Sequence, residues 1–323
     1  LMIMKKNKLL IVCRCIILLL LIAGVAWLPK SGPQTGALDD SKTVKGNENH
    51  PPAKKKIVFI AGPCSHGPGE HEHFAGCKLL AGELNKNLGN LAEAIVYQGW
   101  PKDTTTLNDA SSIVMYMDGG IGHLALRHMQ HMMELMNKGV GFTSLHYAVE
   151  VQPDNGGPEF TNWLGGYFEI NWSVNPTWTA DYKSLPKHPV TNGVKPFSLN
   201  DEWYYHMRFR ENMNGVTPIL TAVPPASTLD RGDGPHEGNE FVRKEMGKPQ
   251  HMAWVTERQD GGRGFGFTGG HYHKNWGNQN VRKLVLNGIA WTARITVPKQ
   301  GVPGSVISGT QLAANLDTKP CVR

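Results

Sequence analysis

Cysteine is scarce, five residues in 323, and no Cys-x-x-Cys occurs, which removes zinc ribbons, c-type haem attachment and thioredoxin-like redox chemistry. There is no His-Glu-x-x-His, so the helical zinc-hydrolase signature is also absent. Charge is sparse at 19% of residues, and the net charge of +6 is unevenly held. Residues 1–56 carry ten basic and three acidic side chains, leaving 23 basic against 24 acidic beyond them. The body is therefore neutral, without the basic stripe and interleaved aromatics that nucleic-acid binding requires. With 40% apolar residues, intrinsic disorder and a collagen-like repeat are excluded as well.

What is present begins with a leader. Lys5, Lys6, Lys8 and Arg14 precede thirteen uncharged, mostly apolar residues, Ile16 to Leu28, ending at Pro29. This reads as an export signal over residues 1–30, with small residues at Thr35-Gly-Ala37 for cleavage; an uncleaved membrane anchor is the alternative. The expected location is periplasmic or extracellular. Removal of the leader would leave Cys64, Cys77 and Cys321. An odd count cannot form a complete disulfide framework; Cys64 and Cys77 either pair or remain buried thiols.

Residues 31–56 are rich in Ser, Gly, Pro, Asn, Asp and Lys and read as a flexible linker. The folded body, expected over 57–297, opens on the apolar run Ile57 to Ala61. Further strands are expected at Ala94 to Tyr97, Ile113 to Met117 and Val140 to Leu145, with helices over 74–88 and 124–138. In the second helix Ala125, Met129, Met132, Met133 and Met136 share a core-facing side, and His128 and His131 read as solvated. Strands alternating with helices imply a three-layer α/β parallel sheet. After residue 150 the chain turns loop-rich. Strands return at Met252 to Thr256 and Gly264 to Thr268 around a hairpin at Asp260-Gly-Gly262, a helix spans 278–294, and a surface tail follows from 298 to 323.

Ligands of such sheets bind outside the carboxyl ends of the strands, and polar clusters fall there: Gly62-Pro-Cys-Ser-His66-Gly-Pro-Gly-Glu70-His71-Glu-His73, Asp118-Gly-Gly120, His146-Tyr147 and Gly269-Gly-His271-Tyr-His273. In the first, His66, His71 and His73 suit a divalent metal such as zinc. The same loop could instead bind a polyol or cap the helix beginning near Phe74. His188 leads through a turn into Asp201-Glu202-Trp-Tyr204. On an extended segment Asp201 and Glu202 point to opposite faces, so only one reaches a given pocket.

His188-Pro-x-x-x-Gly, Phe197, Asp201-Glu202-x-Tyr204, Gly262-x-Gly264, Gly270-His271 and Asn287-Gly-Ile-x-Trp291 together resemble the ThuA-like (trehalose-utilisation) family from about residue 57 to 300. The opening Ser65-His-Gly-Pro-Gly-Glu-His-Glu-His73 resembles its exported branch. The resemblance implies a flavodoxin-like, class I glutamine amidotransferase-like fold and a role in sugar catabolism beside enzymes that make 3-keto-sugars. It points to His146, Asp201, Glu202, Tyr204 and His271.

Glutaminase chemistry needs a Cys at the strand-to-helix elbow, where this chain reads Ser144-Leu145-His146, so none is expected. What remains is acid/base processing of a keto-sugar or glycoside by isomerisation, elimination or hydrolysis. His146 and His271 would transfer protons, Asp201 or Glu202 would orient one of them, and a metal, the one cofactor expected, would act as electrophile. His66, Glu70, His73, Asp118 and Tyr204 are the expected substrate contacts. The partner is a small carbohydrate, not nucleic acid, and membrane contact is confined to an uncleaved leader. One or two of Trp163, Trp172, Trp178, Trp203 and Trp276 could stack on sugar. A non-catalytic carbohydrate-binding or scaffold protein, or a metal-dependent glycoside hydrolase, would use the same cleft.

Overall fold

The run Ile57 to Ala61 divides its side chains between two cores, because successive residues of a strand face opposite ways. In the structure, a computed structural model describing residues 53–321, they lie in β1 (Lys55–Ala61). Ile57, Phe59 and Ala61 pack with Cys77, Leu80 and Leu84 of α1 (His73–Leu88), while Val58 and Ile60 enter the second core. The export leader, Cys13, Cys15, the cleavage residues and the linker as far as residue 52 lie outside the described residues.

The chain continues through β2 (Ala92–Gln98), β3 (Ser112–Tyr116), α2 (Met129–Asn137), β4 (Gly141–Leu145) and α3 (Gly157–Leu164). The loop-rich half contains β5 (Gly166–Tyr167), β6 (Thr177–Tyr182), β7 (Phe197–Glu202), β8 (Arg208–Phe209), β9 (Val216–Ala222) and α4 (Glu240–Arg243). The hairpin strands β10 (Gln250–Glu257) and β11 (Arg263–Phe267), then α5 (Gln279–Thr292) and α6 (Gly309–Leu312), complete it.

The main sheet has seven strands in the order β2-β1-β3-β4-β11-β10-β9. The first five are parallel, and the last two join through antiparallel pairings. Five parallel strands in this order form the flavodoxin-like doubly wound arrangement. Residues of α1 and α5 share one core, and Met132, Leu135 and Met136 of α2 share the other with Phe160 and Trp163 of α3. The three-layer expectation therefore holds. The strand order reverses at β1 and β3, opening a crevice beyond their carboxyl ends.

Four local readings change. The linker stops short of residue 56, because Lys55 and Lys56 pair in parallel register with Ala92 and Glu93. The expected helix over 124–138 is divided into a 3-10 turn, Leu124–His128, and α2. His128 leaves helical angles at φ −128° and ψ 25°, and its ring stacks on Trp100 with centroids 4.0 Å apart. On the methionine side Met132 and Met136 are buried, but Met133 is exposed. Cys64 pairs with Cys321 and not with Cys77, whose side chain is wholly buried on the core-facing side of α1.

The tail is also more than a surface wrap: it returns to the first loop. The Lys319 ammonium donates to the carbonyls of Ser65, Gly67 and Glu70.

Candidate active site

The loops after β1 and β11 are joined through their backbones. The His71 amide donates to the His271 carbonyl at 3.0 Å, and the His273 amide to the Gly69 carbonyl at 2.9 Å. Two histidines separated by two hundred positions are thereby held side by side. Gly270 adopts φ +108°, a conformation that side chains disfavour, and its N–H donates to Asp201 Oδ2 at 2.8 Å. His146 follows β4 at φ 55°, and His71 and His66 have φ 45° and 58°. Three non-glycine residues in the left-handed region within one cluster mark stored strain of the kind found at functional sites.

Asp201 and Glu202 face opposite ways, as β7 requires. Asp201 is fully buried and accepts the amides of Gly270, Tyr272 and Glu202. It fixes the His271 loop and does not reach the cleft. Glu202 does: Oε1 accepts from Asn175 at 3.2 Å, while Oε2 lies 3.2 Å from His271 Nδ1 and 3.5 Å from His146 Nε2.

His71 joins this group. Its Nε2 is 3.0 Å from His146 Nε2 and 3.0 Å from His271 Nδ1, and its Nδ1 is 2.7 Å from Asp118 Oδ1. His146 Nδ1 donates to the Thr268 carbonyl at 2.8 Å, and the Tyr204 hydroxyl lies 3.3 Å from His146 Nε2. One ligand atom from each of His71, His146, His271 and Glu202 lies within 4.8 Å of the others, so these residues could hold a metal. His66, His71 and Asp118 form a second such group, with His66 stacked on His71 at 3.5 Å.

Of the candidate metal ligands in the first loop, His71 alone reaches the larger group. His73 turns aside: Nδ1 meets the Pro63 carbonyl at 3.1 Å, and Nε2 stands 3.5 Å from Asp118 Oδ1. Glu70 Oε1 approaches His271 Nε2 to 3.6 Å.

Burial sets the electrostatics. It pulls His71 down to about 3 against the opposing Asp118 bond, takes His73 to about 4, and holds His146 well below the usual imidazole range. Burial alone would raise Asp118, but the His71 bond and the neighbouring imidazoles outweigh it and bring the carboxyl to about 2. For His271 burial again lowers, but Glu202, with Asp201 and Glu70 behind it, prevails and raises the ring.

A cavity of about 360 Å³ opens on the cluster, lined by Glu202, His271, Tyr204, Tyr147, His66 and His236 among others. Sequence reasoning passed over His236 and Glu150. His236 Nε2 lies 2.8 Å from Glu150 Oε2, a bond that raises His236 despite burial. Its loop follows no strand of the main sheet's parallel portion, so strand-end logic does not find it.

His188 is outside the cleft: it accepts the Val190 amide and packs against Trp291. None of Trp163, Trp172, Trp178, Trp203 and Trp276 lines this cavity. Trp172 instead supports the Arg208 guanidinium at 3.5 Å. Ser144 is buried and donates to the Ala148 carbonyl, which removes it as a nucleophile.

Among solved structures, a ThuA-like protein from Bacteroides uniformis matches with TM-score 0.50 and 16% identity, covering 77% of this chain and 95% of its own. One from Parabacteroides merdae matches with TM-score 0.51 and 16% identity, covering 76% and 93%. At that identity the likeness is one of fold. A glutamine amidotransferase from Thermotoga maritima, 11% identical over 75% of this chain and 97% of its own, reaches a TM-score of only 0.40 and bears no weight. No curated protein matches. The family model for ThuA, described as trehalose utilisation, matches residues 90–292, a stretch that contains His146, Glu202, Tyr204 and His271 but not His71. The chain belongs to the ThuA family.

Proposed function

We propose that this cleft processes a carbohydrate, a keto-sugar or glycoside, by acid/base chemistry beside its carbonyl or glycosidic carbon. The observation that carries the reading is the meeting of His71, His146, His271 and Glu202 with Tyr204 beside a cavity of about 360 Å³. That space suits a sugar unit, and the family's link to trehalose utilisation supports carbohydrate as the ligand class.

Removing a proton next to a ketone requires a proton carrier and a group that holds the developing negative oxygen. The Tyr204 hydroxyl, which lines the cavity, supplies the O–H donor for that oxygen, since the Glu202 carboxylate and the bare Nε2 atoms of His71 and His146 can only accept. Tyr147 and the His236 ring, braced by Glu150, line the same cavity and serve as proton carriers. His146 lies too deep, with Nδ1 committed to Thr268, to exchange protons with substrate; its role is to shape the inner wall.

The test is incubation of the purified protein with 3-keto and unoxidised disaccharides, followed by product analysis. Turnover of the keto form is expected. Tight glycan binding with no product from any substrate would replace the enzyme by a carbohydrate-binding protein.

A further inference from the structure

We propose that Nε2 of His71, Nε2 of His146, Nδ1 of His271 and Oε2 of Glu202 are the ligands of one divalent first-row transition ion, with zinc as the reference case. This goes beyond the carbohydrate reading and stands without it.

The tautomers are the first argument. His146 Nδ1 faces the Thr268 carbonyl at 2.8 Å and His71 Nδ1 faces the Asp118 carboxylate at 2.7 Å. Both partners only accept, so each Nδ1 carries the proton and each neutral ring presents a bare lone pair at Nε2. Those two lone pairs point at one another across 3.0 Å. Tyr204 and His271 are the neighbours able to donate into the pair, at 3.3 and 3.0 Å. A cation between the two nitrogens satisfies both at once.

The spacing is the second argument. Four neighbouring donor pairs are separated by 3.0, 3.0, 3.2 and 3.5 Å. Bonds of about 2.0–2.2 Å to nitrogen and oxygen place adjacent ligands about 2.9–3.5 Å apart, whether the arrangement is tetrahedral or octahedral. Three imidazoles and a carboxylate suit a borderline ion such as zinc rather than calcium or magnesium.

The surroundings are the third. Ring N–H groups tied to a carboxylate and a backbone carbonyl are the usual outer support of metal-bound histidine. Asp118 and Thr268 occupy those positions, and Glu202 has only Oε1 engaged with Asn175. Glu202 and His271 also line the cavity, so a coordination position faces the space where substrate would enter. The ligand set thus draws on His71 from the first loop and leaves His66 and His73 outside.

The experiment uses the purified full chain, stripped with chelator and titrated with Zn(II) and Co(II) alone. One equivalent per chain is expected by elemental analysis, with a visible Co(II) d–d spectrum. Asp118→Asn should weaken affinity about 10–100-fold, His146→Ala and Glu202→Gln by more, and His66→Ala should leave stoichiometry unchanged. If His146→Ala fails to fold by circular dichroism, Glu202→Gln carries the test. Substoichiometric binding, or binding unaltered by Glu202→Gln, would overturn the site and leave a hydrogen-bonded histidine network.

Discussion

At the scale of single residues, adjacent carboxylates perform different work because β7 turns them apart. Asp201 receives three backbone amides in a fully buried position; Glu202 lines the cavity. Asp201→Asn would set an amide N–H against one of those backbone donors, and charge-assisted bonds of this type are worth about 1.5–3 kcal/mol each. Chemical denaturation of chelator-treated protein should therefore show a loss of about that size, while Glu202→Gln should leave its midpoint nearly unchanged. Equal destabilisation by the two substitutions would refute the division of roles. The alternation was legible in sequence, and so was the need for one carboxylate to turn away. Which one turned away was not, since it depends on the His271 loop lying against β7. His71 was legible only as one of three histidines in a loop, because its choice over His66 and His73 is set by backbone pairing with His271.

Among the elements, the C-terminal tail acts on the first loop. The Lys319 and Glu72 side chains, each 1% exposed, stand 3.4 Å apart. Glu72 also accepts the Gly69 and Asp317 amides at 3.0 and 2.8 Å. The tail thus holds the stretch from which His66 and His71 project, and the Cys64–Cys321 disulfide fastens it there. Removing one partner of a buried ion pair typically costs about 3–5 kcal/mol. Lys319→Met should lower stability by that order, and hydrogen exchange should quicken first at residues 65–72. Protection unchanged in that loop would show the tail to be a passenger. Neither contact was readable beforehand: a Gly/Pro/Ser-rich tail has no periodicity, and an odd cysteine count does not name its pair. The strands were readable because apolar runs on a doubly covered sheet have few alternatives, whereas the break at His128 reflects contact with Trp100.

Over the whole molecule, buried neutral histidines make stability depend on pH. His123, outside the cluster, donates from Nε2 to the Ala148 carbonyl at 3.0 Å and accepts the Ala125 amide at Nδ1 at 3.1 Å. No acceptor is left for a second proton, and burial lowers the ring from 6.5 to about 4. The unfolded chain therefore binds the proton and the folded chain does not between about 6.5 and 4. This contribution is complete above 6.5 and lost as pH falls toward 4. His73, lowered to about 4, acts in the same direction. His271 and His236, both raised, act oppositely: their contributions are present at low pH and lost as pH rises through the folded values. Thermal midpoints should fall on acidification, and His123→Asn should flatten that slope; an unaltered slope would assign the sensitivity elsewhere. The layered parallel sheet and the edge at which the histidines gather followed from the strand pattern, while the strand order and the His236 and Glu150 contribution required three dimensions. The central claim is proton abstraction beside a sugar ketone in this cleft. Its most direct measurement is proton NMR of a 3-keto-glycoside incubated with the protein in D2O. Protein-dependent deuterium incorporation is expected at the carbon beside the ketone, reduced at least about a hundredfold, within the range of positioned acid/base groups, when His236 is replaced by Ala. Absence of exchange by the wild-type protein, or exchange that survives His236→Ala, would contradict it.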